Sequence, residues 1–174
     1  MNDDKHKAVQ ELLKEIFKNV NDWLIFMEAK NAALIAFNVA CMAVICNVTL
    51  SSEGKIVFYI VCIGIIISTI MALISFMSKT NKNILNKGNP YESDNLIFYK
   101  DIAKYDKKEY IKKIFKQYEK INIPYNEILK LEEDFAEEII YNSNIVIRKD
   151  KWFNYALKIE FVILPMLIIM FILK

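Results

Sequence analysis

Two uncharged apolar runs, Asn31 to Ser52 and Ile56 to Ser78, dominate the chain, parted by the turn Ser51-Ser52-Glu53-Gly54-Lys55. At ~1.5 Å rise per residue each helix reaches about 33 to 35 Å, and a bilayer hydrocarbon core is ~30 Å thick. Buried helices of soluble domains rarely run so far without a polar face, so the pattern predicts a membrane hairpin. Upstream, Ala8, Leu12, Ile16, Val20 and Trp23 recur every three to four residues with Val9, Leu13 and Phe17 beside them, and Lys and Glu fill the opposite face. This is an amphipathic helix. With no proline or glycine before Gly54, it is expected to continue into the first span, Trp23 marking the approach to the interface.

Downstream the pattern changes. Gly88-Asn89-Pro90 breaks the helix leaving the hairpin, and Leu96-Ile97-Phe98-Tyr99 is expected to be extended. Asp106, with Glu109 three residues on, caps a new helix whose buried face is Tyr110, Ile111, Ile114, Phe115 and Tyr118. Asn122-Ile123-Pro124 ends it. From Tyr125 a near-heptad row of Ile128, Leu131, Phe135, Ile139, Asn142 and Val146 predicts one long helix, about 70 Å, rising into the membrane. Phe161 to Leu173 is short for a span, and Trp152 to Leu173 contains Lys158 and Glu160. An ionisable group at a helix centre costs ~2.5 to 3.5 kcal/mol on insertion, which the apolar residues beyond outweigh. The predicted fold is an all-α membrane protein with three transmembrane helices, a two-span hairpin plus a C-terminal span, and a cytosolic helical lobe. It divides into an amphipathic helix 1–29, the hairpin 30–78, the lobe 79–151 and the last span 152–174.

Charge orients this arrangement. Lys55 is alone between the first two spans, whereas Lys5, Lys7, Lys14 and Lys18 precede the first, Lys79, Lys82 and Lys87 follow the second, and Arg148, Lys149 and Lys151 precede the third. The positive-inside rule makes the N-terminus and lobe cytoplasmic, with the hairpin turn and C-terminus outside. A net charge of +2 over 174 residues gives no footprint for a DNA or RNA polymer. Cys41, Cys46 and Cys62 fall inside apolar runs as small hydrophobes, with no spacing for a metal. Asn47-Val48-Thr49 fits the glycosylation sequon but lies inside a span. The charged first 22 residues do not read as a cleavable signal peptide.

No catalytic set is evident. The only histidine, His6, sits in a segment expected to fray, and GxSxG, P-loop, HExxH and GxGxxG patterns are absent from a chain with 3 glycines. The chain reads as a non-enzyme. The polar residues of interest are those predicted to meet at the cytoplasmic mouth: Glu28, Lys30 and Asn31 from the first helix, and Asn142, Asn144, Arg148, Lys149 and Lys151 from the last. Arg148 is the only arginine, and arginine is the better bidentate partner for phosphate. With Lys30 or Lys149 it would hold an anionic ligand whose ring stacks on Tyr105 or Tyr141, worth ~1 to 3 kcal/mol by analogy with single-strand binders. The competing reading makes Arg148 a positive-inside anchor and Lys30 a snorkelling lysine. Lys107-Lys108 and Lys112-Lys113 read as solvated helix faces.

Three stretches carry a family resemblance: WLIFMEAKNAALIAFNVA from Trp23, NLIFYKDIAKYDKKEYIKKI from Asn95, and LEEDFAEEIIYNSNIVIRKDKWFNYA from Leu131. In order and character the sequence resembles the small transmembrane effectors of bacterial pyrimidine-cyclase anti-phage systems, the Pycsar effector family, with Glu28 where the family pattern has an aspartate and Trp152 where it has a tyrosine. The resemblance implies an inner-membrane protein that stays quiet until a cyclic nucleotide from a partner cyclase binds its cytosolic part. A cyclic pyrimidine mononucleotide is favoured over a cyclic oligonucleotide. It would then permeabilise the membrane as a homo-oligomer, aborting infection. An ungated holin-like toxin and a membrane adaptor for a cytosolic partner, docked on Glu132-Glu133-Asp134 and Glu137-Glu138, are the alternatives.

Overall fold

The computed structural model describes residues 3–47, 54–77 and 88–172. The hairpin turn up to Glu53, the lysines 79, 82 and 87, and Lys174 lie outside the described residues. Helix α1 runs Asp3–Ile45, α2 Gly54–Phe76, α3 Tyr99–Ile102, α4 Lys107–Ile114 and α5 Lys130–Ile172; among the described residues there is no strand. As predicted, α1 is unbroken from the amphipathic stretch into the first apolar run, and at ~1.5 Å per residue it is about 65 Å long. The chain forms two compact units, residues 1–25 with 79–147 and residues 26–78 with 148–174, so α1 and α5 each contribute to both.

The first unit is built like a soluble helical domain. Val9, Leu13, Ile16 and Val20 of α1, Tyr110, Ile111, Ile114 and Phe115 of α4, and Ala136, Ile139 and Ile140 of α5 share one core with Leu96, Ile102, Tyr105 and Ile123. Ile16 and Val20 of the predicted row of α1 are buried, but Val9 and Leu13 take the core places of Ala8 and Leu12, Ala8 being exposed, and His6, expected to fray, is buried with Nδ1 2.6 Å from Glu132 Oε1. Glu132 also accepts from the Leu129 N–H at 3.0 Å, closing the first turn of α5. Leu131 is therefore turned out and Glu132 in, and α5 begins at Lys130 rather than Tyr125, a short 3₁₀ turn at Tyr125–Glu127 preceding it.

Asp106 caps α4 as predicted, its side chain accepting from the Lys108 N–H at 3.3 Å. The helix then widens into a π-turn at Phe115–Glu119 and stops at Lys120 in the left-handed conformation, where φ is 57°. The wider turn carries Tyr118 off the buried stripe, and it is exposed. Leu96 to Tyr99 is not extended. Asn95 Oδ1 accepts from the Ile97 N–H at 3.0 Å and Asp101 from the Asn95 N–H at 3.1 Å, so side-chain acceptors fold the segment into turns leading to α3.

The second unit is a three-helix bundle in which α2 runs against α1 and α5. Ile45, Val61, Ile163 and Met170 form one cluster and Leu34, Ala72, Phe153 and Ala156 another. Gly64 admits the close approach of Ile163, whose Cδ1 would lie 2.6 Å from a Cβ there. Outward, α2 shows Ile56, Ile60, Ile63, Ile67, Ile70 and Leu73, and α5 shows Phe161, Val162, Ile168 and Ile169. Three helices are long and apolar enough to cross a membrane, and such a surface suits lipid. This is a membrane protein. Pro165 sits inside α5 without ending it.

Tyr110 is fully buried and its hydroxyl donates to the Leu96 carbonyl at 2.7 Å, pinning the loop to α4. Tyr110→Phe leaves that carbonyl unpaired, and a loss of about 1 to 2 kcal/mol is expected, read as a lowered thermal midpoint of the purified protein with its helix content unchanged.

Candidate functional site

The eight site residues predicted from sequence divide between the two units. In the second unit, Glu28, Asn31 and Lys149 come together. Lys149, buried, has Nζ 3.1 Å from Glu28 Oε1 and donates to the Ser75 carbonyl at 3.1 Å. Asn31 Nδ2 donates to the Met27 carbonyl at 2.8 Å and to Ser75 Oγ at 2.9 Å. The three helices are thereby tied in a closed ring of polar contacts at one layer. Arg148 donates through Nη2 to the Met77 carbonyl. Lys30 Nζ lies 4.1 Å from the centre of the Phe153 ring, and Lys151 Nζ 5.9 Å from that of Tyr155. In the first unit, Asn142 Nδ2 donates to Asn21 Oδ1 at 2.9 Å.

Tyr105 belongs to a buried network that the sequence did not announce. Its hydroxyl lies 3.1 Å from both the Tyr91 carbonyl and Asp94 Oδ2, sharing one proton between them. Lys104 Nζ completes the network at 2.8 Å from Asp94 and 2.6 Å from Asp101. Burial of Asp94 opposes its ionisation, but hydrogen bonds from Lys104, the Tyr91 N–H and Tyr105 outweigh it and hold the carboxyl below the usual range. Hydrogen bonds to Asp101 and Asp94 hold Lys104 protonated well above the usual lysine range. Burial, then the Asp94 charge, pushes the Tyr105 phenol up to about 12.

Beside this network is a groove of about 480 Å³, within the ~300 to 1,000 Å³ of small-molecule sites. Lys112, Lys113 and Lys116 line one wall and Tyr91 and Tyr125 flank it, with Asn122 between. Lys112 Nζ stands 4.1 Å over the Tyr125 ring, and Lys116 Nζ is 3.3 Å from Glu92. The Lys116 hydrogen bond lowers the Glu92 carboxyl below its usual range. Glu92 and Glu109 also line the groove, so a small anion carrying a stackable ring would compete with Glu92 for Lys116 and with Tyr125 for Lys112. Lys112 and Lys113 fall on the face of α4 opposite its apolar Tyr110, Ile111, Ile114 stripe, and Lys116 follows in the π-turn. That spacing was visible in the sequence, whereas Tyr91 lies on a loop and Tyr125 at the start of a 3₁₀ turn. A second, smaller cavity of about 200 Å³ lies between α4 and α5, lined by Tyr105, Lys107, Glu137 and Tyr141. There Lys107 is held protonated above its usual range, chiefly by its hydrogen bond to Glu137 at 3.0 Å.

Among comparisons with known proteins, the family model described as the Pycsar effector protein domain matches residues 12–174. No curated protein and no solved structure matches.

The depressed Asp94 carboxyl links stability to acid. Its contribution is fully present above the unfolded-state value of ~3.9 and is lost as pH falls through the lower folded-state value. Thermal midpoints measured from pH 7 downward should hold to about pH 4 and then drop. Asp94→Asn should lower the midpoint at pH 7 and flatten the fall below pH ~4.

Proposed function

The chain belongs to the Pycsar effector domain family, an effector of anti-phage defence, and from that premise we propose that a cyclic nucleotide switches it on and that it then permeabilises the inner membrane. The observation that carries this reading is the lysine and tyrosine groove of the first unit. A cyclic mononucleotide has one phosphodiester charge and one base. The ammonium groups of Lys112, Lys113 and Lys116 suit the charge, and the rings of Tyr91 and Tyr125 suit the base, each stacked base contributing ~1 to 3 kcal/mol. The predicted mouth residues already serve one another, Lys149 with Glu28 and Asn31 with Ser75, which supports giving them the switch rather than the ligand.

On this reading the protein is a receptor and not an enzyme, fed by a partner cyclase and acting as a homo-oligomer, with the first unit and the N-terminus cytoplasmic. Both α1 and α5 belong to both units, so a ligand that favours one arrangement of the first unit biases the spans of the second. Moving such an equilibrium from 1:99 to 99:1 takes ~5.5 kcal/mol of preference for the active state.

The test is release of a trapped dye from vesicles carrying the protein, challenged with cyclic UMP, CMP, AMP and GMP and with cyclic oligonucleotides. Release by a cyclic pyrimidine mononucleotide is expected, and equal release under every condition overturns the gating. Replacing Lys112→Glu together with Lys113→Glu should raise the half-maximal nucleotide concentration at least tenfold. An unchanged value removes the groove as the ligand site.

A further inference from the structure

The outward surface of the second unit is apolar along two of its helices and not along the third. From Ala32 to Val44 of α1 and from Ile60 to Leu73 of α2, every exposed position is Ala, Val, Ile, Leu or Phe. On α5 the exposed positions open instead with Lys151, Asn154, Tyr155 and Lys158. Lys151, Tyr155 and Lys158 keep the spacing of one helix face, and the two ammonium groups each lie 5.9 Å from the centre of the Tyr155 ring.

Contacts inside the bundle set the depth of this stripe. Ser75 Oγ accepts from Asn31 at 2.9 Å and donates to the Lys149 carbonyl at 3.5 Å, so Lys149 is level with the start of the first uncharged run. Ser68 Oγ joins Asn38 to the Ala156 carbonyl in the same way, one heptad further along α1 and α5. Lys158 follows Ala156, about 13 Å past Lys149 at ~1.5 Å per residue, in a hydrocarbon core ~30 Å thick. Its ammonium reaches back toward Tyr155 as a snorkelling lysine does, but one turn, ~5.4 Å, does not return it to the level of Lys149.

Charged groups at such depth face a protein interior or water rather than lipid, and Lys158 does not face the interior of its own bundle. Among the described residues of this unit no acid stands on its face. Glu28 is held by Lys149, Glu160 is 3% exposed on the opposite side of α5, and Asp150 lies about 100° round the helix from Lys151. Water is the surrounding that suits the stripe, and one copy of the bundle does not enclose it.

We propose that the Lys151 to Lys158 stripe of α5 faces the same stripe in neighbouring copies of this chain, and that together they line a water-filled path that passes anions in preference to cations. Assembly sets the lysines in two rings about 10 Å apart, which attract anions and repel cations. Beyond Lys158 the same face continues as Val162 and Ile169, both exposed, and an aliphatic stretch of this kind shuts a path at rest by dewetting.

The water-lined stripe stands without ligand gating, whereas the selective path rests on the permeabilisation proposed above, so two measurements separate them. In vesicles, an environment-sensitive fluorophore is attached to the full chain at Lys158→Cys, with Cys41→Ala, Cys46→Ala and Cys62→Ala and helix content unchanged. Aqueous iodide should quench it about fivefold more than the same label at Ile67→Cys of α2, and spin-labelled lipid should do the reverse. Quenching at position 158 by lipid and not by iodide makes Lys158 a snorkelling side chain and overturns the stripe. The second measurement uses the wild-type chain. In planar bilayers opened by a cyclic nucleotide, chloride should pass about fivefold more readily than potassium, and Lys151→Gln with Lys158→Gln should bring that ratio near one. Equal passage in the wild-type chain, or a ratio that the double substitution leaves unchanged, overturns the selective path. If iodide reaches position 158 and no nucleotide opens the membrane, the stripe is upheld and the gating reading fails instead.

Discussion

A seven-residue register, shared by α1 and α5 and met by α2, is the constraint on which the rest of the structure depends. In α1 the interior positions begin as His6, Val9, Leu13, Ile16 and Val20 and continue as Met27, Asn31, Leu34 and Asn38; in α5 they run from Glu132 through Ala136 and Ile139 to Lys149, Phe153, Ala156, Glu160 and Ile163. Each helix thus keeps one inward stripe through two different surroundings. In the first unit the stripe is mostly apolar and the outer face is charged, because burial of apolar area is what drives that core together. In the second unit the outer face is the apolar one, and lipid gives no hydrophobic reward for pairing two helices. There the stripe carries Asn31, Asn38, Ser68, Ser75 and Lys149, whose hydrogen bonds do the joining.

This inversion explains which parts of the chain were legible. Length and apolar content named the spans of α1 and α2, and the missing proline and glycine foretold the continuity of α1. Asp106 announced α4 because a cap acceptor with an acidic residue three positions on is a local signal. Periodicity could not choose between Ala8 with Leu12 and Val9 with Leu13 in the first turns of α1, since both pairs are apolar. The choice is made 126 residues away, where Glu132 takes His6 into the core. The same pairing rotates α5, turning Leu131 out. Tyr118 was misassigned because a π-turn changes the phase of the helix, and no residue type marks such a turn in advance.

The candidate sites were legible in pieces. Glu28, Asn31, Arg148 and Lys149 stood out as polar residues where a membrane helix begins. That Glu28 meets Lys149 and Asn31 meets Ser75 depends on helix packing, which the sequence carries only as the repeated seven-residue offset. The groove was harder still. Lys112 and Lys113 looked like a solvated face, which they are; what makes them a site is Tyr91, on a loop held by the Asp94 to Lys104 network, and Tyr125, at the start of a 3₁₀ turn.

The energetics of the second unit bear on how it could switch. A buried acceptor without a donor costs ~1 to 3 kcal/mol, and Asn31 Oδ1 and Glu160 Oε1 have no donor among the described residues. The arrangement is kept because the next layers, Ile45 with Val61 and Ile163, then Met170, are apolar and pack without a polar atom. The polar contacts at Asn31, Ser75 and Lys149 and the aliphatic layers beyond them thus hold together three helices that lipid itself gives no reason to pair.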